Sequence, residues 1–76
     1  MSNTTSRIQR IRSRITILQV HVDNIRECLD ADNDMSTLNR TRLRNEIINH
    51  QQRIIQWHKL LFNIQKNIIS RLQNKH

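Results

Sequence analysis

Arginine and amide side chains at helical spacing are the residues of this chain with the clearest chemistry. Arg7, Arg10 and Arg14 recur at spacings of 3 and 4, the interval that aligns side chains on one helix face. The hexapeptide Asn39-Arg40-Thr41-Arg42-Leu43-Arg44 sets Arg40 and Arg44 one turn apart with Arg42 beside them. A longer stripe follows through Arg42, Asn45, Asn49, Gln52, Gln56, Lys59, Asn63 and Lys66, again at alternating spacings of 3 and 4. Every member of that stripe donates hydrogen bonds and none is a carboxylate. An ordinary solvated helix face mixes Glu with Lys for i,i+4 pairing. Amides and cations together instead suit phosphate oxygens and sugar hydroxyls, which accept such bonds whatever the base sequence. The competing explanation is compositional, since abundant Asn leaves amides on any exposed face. For the hexapeptide the competing role is pairing of its arginines with Asp30, Asp32 and Asp34 across a turn.

Other chemistry is thin. Cys28, His21, His50 and His58 are soft ligands at spacings that do not converge, so no metal site and no cofactor is expected. His50 falls in an apolar seam, where a hydrogen-bonded core histidine is expected, and Cys28 borders a seam as a buried thiol. Small arginine-rich helical dimers include chorismate mutases, but such a site needs cations gathered inside the helices. Here the cations face outward, and no catalytic residue or small-molecule substrate is expected. With one Trp, one Phe and no Tyr, the stacking platforms of single-strand binders are missing. A duplex read by shape and backbone is favoured.

The elements that must carry these residues are bounded by composition. Seventy-six residues make one small domain, and Gly and Pro are both absent. Tight primed hairpin turns and phosphate-cradling loops thereby lose their usual residues. Long helices remain. Residues 1–5 read as a polar tail. From Ile8 the apolar positions Ile11, Ile15, Leu18, Val22, Ile25 and Leu29 follow at 3, 4 spacing, a heptad seam that predicts a helix over about 6–30, capped by Thr5 or Ser6. Residues 31–35 are a turn, after which Ser36 or Asp34 can cap a second helix over about 36–74.

The second helix carries apolar doublets a heptad apart: Ile47-Ile48, Ile54-Ile55, Leu61-Phe62 and Ile68-Ile69. Doublets make a face broader than one seam, which implies two neighbours. The expected fold is all-α, an antiparallel coiled-coil-like helical hairpin that assembles as a dimer or four-helix arrangement. A turn centred near residue 33 sets His21 opposite residue 45 and leaves the end of the second helix beyond the first. Trp57, Leu61, Phe62, Ile64, Ile68, Ile69 and Leu72 are then the expected dimer interface, because so large an exposed apolar run is rare in a monomer.

Net charge is +7, unevenly spread. Residues 1–22 hold four arginines and no acid, 23–34 hold Arg26 against five acids, and 35–76 hold eight bases against one acid. A polyanion is therefore repelled at the hairpin tip and drawn to the body. The single cysteine excludes an intrachain disulfide, and no apolar run reaches the ~18 residues of a membrane span, so an intracellular, cytoplasmic chain without a membrane partner is expected. In its first helix, acidic-to-polar turn and arginine-rich entry Asn39-Arg40-Thr41-Arg42-Leu43-Arg44 into a long second helix, the chain resembles the RNA-silencing suppressors of nodaviruses. That resemblance is one of architecture and charge; it implies a viral homodimer that shields double-stranded RNA in the host cell. The alternative is an oligomerising coiled-coil adaptor, such as the N-terminal hairpin of a retroelement Gag, in which the polar stripe is solvation.

Overall fold

From Asn3 to Ala31 the backbone meets neither Gly nor Pro, and it runs as one helix, α1 (Asn3–Ala31). A second uninterrupted run forms α2 (Thr37–Gln73). The computed structural model describes residues 3–73, and these two helices pack antiparallel as an all-α hairpin with no strand among the described residues. Met1 and Ser2 of the expected tail, and Asn74 of the expected second helix, lie outside the described residues. Residues 3–5 are helical and not tail, so α1 starts ahead of the expected Thr5 or Ser6 cap. Nothing in the local sequence opposes this. The hairpin measures 63 × 19 × 14 Å, a rod two helices wide.

The connection is built from side chains that mimic backbone. The Asp32 carboxylate accepts from the Asp34 backbone N–H at 3.0 Å, which tightens the turn. Ser36 is the cap of α2: its Oγ accepts from the Asn39 N–H at 3.2 Å, satisfying one of the donors a helix start leaves unpaired. The end of α1 poses the opposite problem. Helices commonly finish with a left-handed residue that folds the chain back onto the last carbonyls, usually Gly. No described residue here has positive φ. Arg40 supplies the missing donors. Its guanidinium donates to the Leu29 carbonyl at 3.2 Å and, through the other terminal nitrogen, to the Asp32 carbonyl. A cation at the negative end of α1 is also favoured by the helix dipole.

Between the helices the seam is narrow. Ile11, Val22, Ile47 and Ile54 are the buried apolar residues, with Val22 only 1% exposed. Ile15, Leu18, Ile25 and Leu29 pack against Val22, Ile47 and Ile54. The apolar doublets of α2 split across this seam. In each, the first residue points inward and the second outward: Ile54 is 9% exposed and Ile55 54%.

Register differs from the expectation. His21 stacks on His50, with ring centroids 5.8 Å apart, rather than facing residue 45. Arg14 lies over Trp57. The helices end at Ala31 and resume at Thr37, so the turn is centred beyond residue 33, and α1 reaches further along α2 at its other end. Leu61, Ile64 and Ile68, expected to project without cover, are half-buried.

Two stability outcomes follow from this packing. Ile54→Ala should cost about 2–5 kcal/mol, whereas Lys66→Ala on the exposed face should cost little, as compared by denaturant melts. Arg40→Met should cost about 1–3 kcal/mol by removing the charged donors to the Leu29 and Asp32 carbonyls. Arg40→Lys, which lacks the planar fork, should recover only part of that loss in the same melts.

Candidate nucleic-acid interface

The stripe of α2 emerges intact. Arg42, Asn45, Asn49, Gln52, Gln56, Lys59, Asn63 and Lys66 are all exposed, because the seam is set by Ile47, Ile54, Leu61 and Ile68 and the stripe lies on the far side of it. From Arg42 to Lys66 the stripe is ~36 Å long, close to one turn of duplex.

Register decides how α1 contributes. Arg7, Arg10 and Arg14 are exposed and come alongside the middle of α2. Arg7, Arg10 and Arg14 share a surface cleft with Ile11, Trp57 and Leu60. The Arg14 guanidinium carbon lies 5.6 Å from the Trp57 ring centroid, a cation–π contact that holds the charge over the hairpin seam while its outer nitrogens stay accessible. Trp57, expected at a dimer interface, is thus half-buried within its own chain.

Arg53 completes this flank, and the sequence stripes do not include it. It lines one cleft with Arg14, Ile17 and Gln56, and a second with Asn49, His50 and Glu46. Three arginines from two helices, Arg10, Arg14 and Arg53, therefore stand on the flank that adjoins the amide stripe. Glu46 is the carboxylate on the same flank. The signal for Arg53 was available: it precedes the buried Ile54, the position beside a seam where a long cation covers apolar surface with its stem.

The arginine hexapeptide divides. Arg40 turns inward to the carbonyls of Leu29 and Asp32, which occupies its guanidinium in the turn. It meets backbone carbonyls there, not the carboxylates proposed as its alternative partners. Arg42 and Arg44 are exposed.

The soft ligands are placed as follows. Cys28 is free and exposed rather than buried, because it sits one residue before the inward Leu29, on the seam's edge. His50 is half-buried in the seam, but its Nδ1 is buried without a hydrogen-bond partner among the described residues, in place of the bonded core histidine expected. Its ring stacks at 25° to that of His21. His58 is exposed on α2. Among the described residues no three His, Cys, Asp or Glu side chains gather as a metal-ligand set.

Of the remaining residues expected at a dimer interface, Leu61, Ile64 and Ile68 are half-buried, whereas Phe62, Ile69 and Leu72 are exposed. No described helix is long and apolar enough to cross a membrane. Comparisons of the chain with protein-family models, with curated proteins and with solved structures find no match.

Proposed function

We propose that this chain is a non-enzymatic nucleic-acid-binding hairpin that grips the backbone of a duplex, RNA in preference to DNA, without reading base sequence. The observation that carries it is the exposed run from Arg42 to Lys66, unbroken by a carboxylate and flanked by Arg10, Arg14 and Arg53. Cations neutralise phosphates and release counterions, which supplies affinity with no base information. Asn49, Gln52 and Gln56 add donors and acceptors that can meet 2′-hydroxyls across the shallow minor groove of RNA. The acidic residues Asp30, Asp32 and Asp34 sit at the tip, away from this face. A homodimer lengthens the face. Bound along double-stranded RNA, such a protein would mask it from processing enzymes, the role that the resemblance to nodavirus silencing suppressors implies.

A second reading is favoured by one observation. Ile48, Ile55, Phe62 and Ile69 form an exposed apolar row on α2, as an oligomerising adaptor of the Gag-hairpin type would carry.

Titration with matched duplex RNA, duplex DNA and single strands separates the two. The expected order is duplex RNA above duplex DNA above single strands, with affinity falling steeply as salt rises and changing little with sequence. Arg42→Ala with Lys59→Ala should weaken binding uniformly and reduce the salt slope by ~1 per contact removed, with helicity unchanged. Arg14→Ala with Arg53→Ala should do the same. If duplex RNA at low salt binds no better than an uncharged control, the adaptor reading takes its place.

A further inference from the structure

Eight large apolar residues stand exposed among the described residues, against four buried in the seam. Five of the eight are Ile48, Ile55, Phe62, Ile69 and Leu72, on one side of α2. The first four recur every seven residues, and Leu72 follows three after the last. Between them, at the intermediate heptad positions, lie Gln51, His58 and Gln65. This is a second heptad seam, a quarter-turn or so from the one that holds α1. Gln51 and Gln65 are already half-buried along it.

We infer that this seam pairs face to face, antiparallel, with the same seam of a second copy of the chain. Two observations select that occupant and orientation. First, the seam reads Ile-Gln-Ile-His-Phe-Gln-Ile-Leu from residue 48 to 72, and antiparallel pairing can set each of Gln51, His58 and Gln65 against an apolar residue of the partner, whereas in-register parallel pairing would set polar against polar. A two-fold axis near residue 60 then places Ile48 against the partner's Leu72 and brings Phe62 beside the partner's His58. No charged residue is buried at any step.

Second, the matching side of α1 is polar. Gln9, Arg12, Thr16, Gln19 and Asp23 are exposed there, with Gln19 donating to Asp23 at 3.1 Å and Thr16 to the Arg12 carbonyl at 3.0 Å. A two-fold axis parallel to the helices would lay the apolar row of α2 on this polar row. The perpendicular axis instead lays α2 on α2 and α1 on α1.

The pairing differs from one through the overhanging end of α2. Its contacts run from Ile48 to Leu72, ~36 Å of helix, and leave Trp57 and Ile64 in the hairpin. It does not depend on nucleic acid, and its test contains none.

Sedimentation should give twice the chain mass for the native protein and 9.2 kDa for Phe62→Asp, with circular dichroism of the variant still helical. Orientation is read by disulfide trapping in a Cys28→Ser background, which removes the exposed native thiol. Chains bearing Ile48→Cys and differently tagged chains bearing Leu72→Cys should form the mixed disulfide on oxidation, in large excess over either like-with-like product. A native chain that sediments as a monomer at hundreds of micromolar overturns the inference and assigns the seam to a different protein. So does a Phe62→Asp chain that remains dimeric, or trapping of Ile48→Cys with itself. Should Phe62→Asp lose its helicity, Phe62→Gln, which adds no charge, replaces it in the same sedimentation comparison.

Discussion

Arg40 is the group through which the two helices are held in register. A chain without glycine has no easy way to end one helix and reverse into another, because the residue that usually folds back over the last carbonyls is missing. Here the donors come from the far side of the turn: Arg40, in the first turn of α2, reaches back to Leu29 and Asp32. That bond spans eleven residues of sequence and fixes where α2 starts relative to where α1 stops. In the same register, held also by the seam of Val22, Ile47 and Ile54, His21 meets His50 and Arg14 meets Trp57. The position of the basic flank is therefore tied to a turn at the opposite end of the rod.

Cost and function meet in this arrangement. Cations in the first turn of a helix oppose its dipole by ~0.3–1 kcal/mol each. Arg40 escapes most of that penalty, since its charge is placed at the negative end of α1 instead of the positive end of α2. Arg42 and Arg44 have no such outlet and stay exposed near the helix start. Trp57 acts similarly for Arg14, offering a π face that holds a guanidinium at the surface. Both contacts order arginines that would otherwise sample many rotamers, but to different ends: one builds the turn, the other presents a charge.

How much was legible in the sequence depends on the range over which each feature is determined. The seam from Ile8 to Leu29 is a local periodicity, and it appears as read. So does the exposure of Arg42 through Lys66, because a helix carries its stripe wherever the seam faces. The split of Ile54 from Ile55 follows from the doublet itself, since two adjacent helical residues cannot both face one seam. Register was not legible. It turns on a side chain bonding to backbone across a turn, a contact that no local periodicity records. Arg53 was missed for a related reason. It is isolated on α2 and becomes part of a cluster only when α1 brings Arg14 and Ile17 beside it.

The two faces of α2 constrain one another. If the row from Ile48 to Leu72 is covered by an antiparallel copy, the axis passes out through the edge of α2 that bears Asn45, Gln52, Lys59 and Lys66. Those residues then appear twice along a single edge, related by the same two-fold axis. A duplex backbone has near two-fold symmetry of its own, since its strands run antiparallel, so one such edge can meet both strands in equivalent ways. The flank that carries Arg10, Arg14 and Arg53 turns outward from each hairpin, bordering the shared edge on either side. The apolar association and the polyanion binding proposed above are in this way not competing uses of one surface. They occupy adjacent positions of the same heptad, and the first sets how far apart the cations of the second must lie.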